Sequence, residues 1–142
     1  KDEVGFDVVI ENLNGSKEFH QCKASNANSE SWTVSKLKQT GILTNAWYQI
    51  KRGMNEFHLV SPLPSKMLSD LSDSAFNSNG DATDFYEFQV ETSQQRKKII
   101  GDLCSHLVID CSKKDGLNDL LIFLQRGMKW HMTGHHLIPS IV

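Results

Sequence analysis

Three side chains near the start of the chain, Asp7, Gln21 and Lys23, are of the types that together handle a phosphate group. A carboxylate holds a hard divalent cation such as Mg²⁺. The oxygen of Gln21 and the backbone carbonyl of Cys22 add neutral ligands. The Lys23 ammonium can orient an attacking water or stabilise charge on a transferring phosphate. The chemistry requires the three to meet, which depends on how the chain between them turns.

That chain, FDVVIENLNGSKEFHQCK, reads as a β-hairpin with strands over 6–11 and 18–24 and a turn at Asn14-Gly15-Ser16. A two-residue Asn14-Gly15 turn would pair Leu13 with Ser16 and Asp7 with Cys22, sending Asp7 to the face away from Gln21 and Lys23. A three-residue loop, Asn14 to Ser16, would pair Leu13 with Lys17, Asp7 with Lys23 and Val9 with Gln21. Asp7, Gln21 and Lys23 then share one face, and Val8, Ile10 and Cys22 share the other, the expected core side. The apolar pattern favours this second register. It leaves His20 on the core face and Val9 and Phe19 on the polar one, so a sheet covered on both sides is expected.

The remaining elements must hold this hairpin. Val34, Leu37, Ile42, Trp47 and Ile50 follow helical spacing, with Gly41 a candidate break and Gly53 a stop after Lys51 and Arg52. Residues 55–62 predict a short strand ended by Pro62. A helix is predicted from Pro64 to about Ala75, another from Ser93 to about Leu107, and a last one over about 117–125. The segment from Asn77 to Thr83 is the most linker-like, and no internal repeat is read. The expected division is a core over 1–76, a linker-like segment over 77–92, and a helical extension or connection to a following module over 93–142. Strand, strand, helix, strand, then helices predicts an α/β class.

An Asp on one strand, Gln21-Cys22-Lys23 on the next and a helix beginning near Trp32 resemble the PD-(D/E)xK nuclease superfamily. The string FHQCKA resembles the Gln-x-Lys strand of double-strand DNA endonuclease domains in bacterial antiphage defence proteins, those of CBASS effector nucleases and AVAST-type STAND NTPases. The likeness covers residues 6 to about 61. It implies a restriction-endonuclease-like core, a mixed sheet with flanking helices, here N-terminally truncated and followed by a helical C-terminal extension. It implies Mg²⁺ or Mn²⁺ held by Asp7, Gln21 and the Cys22 carbonyl, hydrolysis of phosphodiester bonds in double-stranded DNA, and activation through homo-oligomerisation by the rest of the full-length chain, in the cytoplasm. Lys36 and Lys38 are the candidate phosphate contacts. The superfamily fold usually opens with a helix bearing a metal-binding Glu. The chain begins Lys1-Asp2-Glu3 with a strand close behind, so a missing beginning is expected. Gln21 also stands where many members carry Glu, and a neutral ligand weakens a cation site. The alternative is therefore a weak or inactive nuclease-like domain serving as a nucleic-acid-binding or oligomerisation module.

Other chemistry finds less support. Glu11, about 13 Å along the strand from Asp7, and Glu18 read as surface acids. Arg96-Lys97-Lys98 reads as a solvated helix face. His131 and His135 have i, i+4 spacing, but Gly134 and the lack of a third ligand argue against zinc. No P-loop and no Gly-x-Ser-x-Gly elbow occurs. The 142 residues, 39% hydrophobic and 23% charged, suffice for one domain with a real core. A net charge of −2 excludes a uniformly basic nucleic-acid binder but permits a local basic face. No apolar run approaches the ~18 residues of a membrane span. Cys22, Cys104 and Cys111 lack zinc spacing and read as reduced, mostly buried thiols of a cytosolic protein.

Overall fold

The computed structural model describes residues 5–23, 31–61 and 65–132. The expected strand stop at Pro62, the helix start at Pro64 and His135 of the i, i+4 histidine pair lie outside these residues.

A four-stranded mixed sheet forms the centre, in the order β1 (Gly5–Glu11), β2 (Lys17–Lys23), β3 (Glu56–Ser61), β4 (Lys129–Met132). β1 and β2 are antiparallel, whereas β3 runs parallel to β2 and β4 parallel to β3. Among the described residues six α-helices accompany it: α1 (Val34–Gln39), α2 (Ile42–Lys51), α3 (Lys66–Phe76), α4 (Ala82–Phe85), α5 (Gln94–Leu107) and α6 (Lys114–Arg126). The α/β class is as expected. Among the described residues no helix is long and apolar enough to cross a membrane.

The hairpin departs from the expected loop. Glu11 pairs with Lys17 and Asp7 with Gln21, so the connection has five residues, Asn12 to Ser16. Asn12 closes it: its carbonyl accepts from Gly15 N at 2.9 Å, its backbone N–H donates to Ser16 O at 2.8 Å, and its amide donates to Ser16 Oγ at 2.9 Å. These bonds stop the ladder two residues earlier than a tight turn would. An odd count remains odd, so the face assignment of Asp7, Gln21 and Lys23 is unchanged.

The core side is the reverse of that expected. Phe19, Phe57 and Leu59 join the main core cluster from the Gln21 face, against Leu37, Ile42, Leu43 and Ala46 of α1 and α2. Ile10, on the opposite face, is exposed. Two buried phenyl rings outweigh what Val8 and Ile10 could contribute by burial. The break between α1 and α2 falls at Gly41, whose φ of 80° is the left-handed conformation that glycine adopts at low cost.

The interval 77–92, expected to be linker-like, carries α4, capped by Asp81, and a π-helical turn over Tyr86–Val90. Phe85 and Val90 are buried in the same cluster as Phe19 and Leu120. β4 was unforeseen. It follows α6 closely and brings the chain back to the sheet beside β3. Ser72 Oγ donates to Leu124 O at 2.7 Å and Gln125 Nε2 to Ala75 O at 2.9 Å, fastening α3 to α6.

Cys104 and Cys111 form a disulfide, which corrects the reading of both as reduced thiols. Their Cα atoms lie 6.8 Å apart because α5 ends at Val108 in the left-handed conformation and Ile109 N donates back to Cys104 O. Closing so short a loop stabilises the fold by roughly 2 kcal/mol. Cys22 is a buried free thiol. Thiol titration of the denatured, unreduced protein is expected to give one reactive group per chain, rising to three after reduction. Three before reduction would exclude the pairing.

Candidate functional site

Asp7 and Gln21 stand directly opposite each other on β1 and β2, and Lys23 is the diagonal neighbour on the same face. Directly opposed Cβ atoms are about 5 Å apart and diagonal ones about 7–8 Å. Across from Lys23 is Gly5, so no side chain stands opposite it on β1. Asp7 is exposed, whereas Gln21 and Lys23 are half-buried. The three thus sit where the helix-covered face of the sheet gives way to solvent.

Gln21 is held in place by a chain of amides that the sequence did not suggest. Arg52 Nη1 donates to Gln49 Oε1 at 3.3 Å, Gln49 Nε2 to Asn45 Oδ1 at 3.0 Å, and Asn45 Nδ2 to Gln21 Oε1 at 3.2 Å. The i, i+4 spacing of Asn45 and Gln49 and the i, i+3 spacing of Gln49 and Arg52 put them on one helical line. That periodicity was readable in the sequence; the partner at its end was not. An amide oxygen has two lone pairs, so Gln21 Oε1 can accept from Asn45 and still face a cation.

Cys22 points to the other side of the sheet. Burial first, and the nearby Asp7 charge second, push its thiol above the ordinary range. It stays protonated at neutral pH and is no nucleophile. Lys36 and Lys38 lie on α1, Lys36 half-buried and Lys38 exposed. The backbone N–H of Lys36 already donates to the Thr33 cap, so the lysines would act through their side chains.

The reverse face of the same strands carries a second cluster. Glu18-Phe19-His20 on β2 and Glu56-Phe57-His58 on β3 are the same tripeptide, paired in parallel register, Glu with Glu, Phe with Phe and His with His. The phenyl rings stack at 5.7 Å on the core face, and the imidazoles stack at 4.2 Å on the other. Glu18 Oε1 lies 3.0 Å from His20 Nε2 and 3.4 Å from His58 Nε2, and Glu56 Oε1 is 2.8 Å from His58 Nε2. Asn12 Nδ2 donates to the other Glu18 oxygen at 3.0 Å. The hydrogen bond from His20, then that from Asn12, holds the Glu18 carboxyl below its usual range. Glu18 had read as a surface acid. The signal that would have found this cluster is the recurrence of Glu-Phe-His in two predicted strands.

Comparison with protein-family models, with curated proteins and with solved structures finds no match to this chain.

Proposed function

We propose that the chain is a metal-dependent DNA endonuclease domain with a restriction-endonuclease-like core. The observation that carries this reading is the hairpin register, which sets Asp7 opposite Gln21 with Lys23 beside them. The mixed sheet with its flanking helices is compatible with such a core. The donors are all oxygens, the set that suits a hard cation such as Mg²⁺ or Mn²⁺.

In this mechanism Asp7, Gln21 Oε1 and the Cys22 carbonyl hold the ion. When bound, it supplies Lewis-acid polarisation of a phosphate oxygen and lowers the pKa of a water. Asn45 keeps Gln21 aimed, which limits the reorganisation needed at the moment of reaction. Lys23 positions the water and offsets the charge that develops on the phosphorus oxygens. Lys36 and Lys38 add phosphate contacts that are independent of base sequence. By the same resemblance, the domain serves antiphage defence and works as a homo-oligomer on double-stranded DNA.

A second reading is favoured by Gln21 itself, which brings no charge and whose oxygen already accepts from Asn45. In it the domain binds nucleic acid or assembles without cutting. Incubation with linear duplex DNA separates the two. Cleavage is expected with Mg²⁺ and not with EDTA, and Lys23→Ala is expected to slow it at least about a hundredfold. Undiminished cleavage by Lys23→Ala overturns the mechanism. DNA retention without cleavage favours the second reading.

A further inference from the structure

The Glu and His side chains of the paired Glu-Phe-His segments have no part in the reaction above, since they face away from Asp7, Gln21 and Lys23. Their polar ends are arranged unusually. The parallel register sets Glu18 beside Glu56 and His20 beside His58. Like charges placed directly opposite each other on a sheet destabilise it. Yet the two histidine rings are held parallel within 5° of each other, with both Nε2 atoms turned toward one carboxylate oxygen.

We propose that Glu18, His20 and His58 form a binding site for a transition-metal dication of the zinc class. Oε1 of Glu18 and one ring nitrogen from each histidine lie within 4.8 Å of one another, close enough for small side-chain shifts to bring them round one ion. Two imidazoles and a carboxylate are a common zinc set, and imidazole selects against Mg²⁺. The site is therefore chemically distinct from the oxygen-only group on the other face. Asn12 fixes the Glu18 carboxylate from behind, as outer partners do for metal-binding carboxylates.

His58 is buried and Glu18 and His20 are half-buried, with side-chain exposures of 11%, 23% and 16%. That is sheltered enough to order the ligands and open enough for an ion to enter. The groove lined by His58, Ser69, Ser72, Asp73 and Lys129 gives a route along α3. Lys129, the in-register neighbour of His58 on β4, has its ammonium over the Phe76 ring, 4.4 Å from the centroid. Glu56 stands outside this three-ligand group and holds His58 at 2.8 Å. One carboxylate and two neutral imidazoles leave a bound dication with one positive charge, which the neighbouring Glu56 carboxylate offsets, and the acid–acid opposition is relieved. Because the ligands come from β2 and β3, the ion clamps the hairpin to the rest of the sheet.

The test uses the chelator-stripped 142-residue chain titrated with Co²⁺ by visible absorption and with Zn²⁺ by calorimetry. One equivalent is expected, with the intense bands of four-coordinate Co²⁺, reversal by Zn²⁺, and a rise in melting temperature with Zn²⁺. His20→Asn and His58→Asn are each expected to weaken Zn²⁺ binding more than tenfold. Should either fail to fold by circular dichroism, Glu18→Gln on the more open hairpin replaces it, with the same expected loss. Asp7→Ala and Lys23→Ala are expected to bind Zn²⁺ as the wild type does, so the result stands apart from the nuclease reading. Folded wild type that binds no Zn²⁺ overturns the proposal, as does unchanged affinity in a folded ligand variant.

Discussion

Gly116→Ala is expected to destabilise the protein by about 3 kcal/mol, an overpacking cost at the upper end for one methyl group. Alanine normally improves a helix interior by about 1 kcal/mol over glycine, so the sign itself is diagnostic. The reason is a backbone collision. A Cβ at Gly116 overlaps the carbonyl oxygen and carbon of Asp110, and backbone cannot rotate away as a side-chain tip can. The Asp110 turn is held firmly. Ser112 donates from both its hydroxyl and its N–H to Asp110 Oδ1, at 2.6 and 3.0 Å, which keeps that carboxyl below its usual range. Lys113 N donates to the very carbonyl that a methyl would strike. Gly101→Ala is the matched control: it lies inside α5 with nothing within 4 Å of its Cβ direction, and should stabilise by about 1 kcal/mol. Chemical denaturation of the two variants checks both signs. A stable Gly116→Ala protein would exclude the close approach of α6 to the Asp110 turn.

Phe123→Ala is expected to cost about 3–5 kcal/mol and to do so in one cooperative transition. Phe123 on α6 is fully buried and meets Trp47 on α2 edge to face, with ring centroids 5.7 Å apart and an angle of 89°. Trp47 lies two residues from Asn45, which aims Gln21. Truncating the ring therefore removes support from the helix that lies over the candidate nuclease residues, although Phe123 is far along the chain from them. A separate C-terminal module, as the division at 77–92 implies, would melt alone. Far-ultraviolet circular dichroism and tryptophan fluorescence should instead lose signal together and at lower denaturant concentration than in the wild type. Two separated transitions, or a cost below about 1 kcal/mol, would count against one shared core.

How much of this was legible in the sequence can be judged element by element. β1, β2 and β3, and the helices with clear periodicity, were placed well, because the hydrophobic period is a local property, whereas the short β4 was missed. The break at Gly41 was readable because glycine marks a left-handed residue. The hairpin loop was misjudged because Asn14-Gly15-Ser16 looks like a complete turn, while Asn12, two residues earlier, makes the closing bonds. Face parity survived that error, since three and five are both odd. The core side was reversed because the identity of the covering helix is a tertiary fact, and alternation alone fits either face. Gly116 stood just ahead of the helix predicted over about 117–125; it lies inside α6, and its need for glycine comes from the Asp110 carbonyl. Nothing local in 77–92 showed that Phe85 and Val90 would be buried.

The alignment of the two Glu-Phe-His segments exposes a conflict between the faces of one sheet. Sliding β3 by two residues would set Glu18 beside His58, an attractive pair, but would also put Phe57 beside Lys17. The observed alignment keeps phenyl on phenyl, and Asn55 secures it by donating its backbone N–H to Lys17 O and accepting from Lys17 N at its side-chain Oδ1, while Arg126 grips the Met54 and Asn55 carbonyls. The phenyl face thus chooses the register and the imidazole face inherits like beside like. Such a sheet is locally frustrated, and frustration of this kind is a standing preference for whatever brings positive charge to the imidazole side.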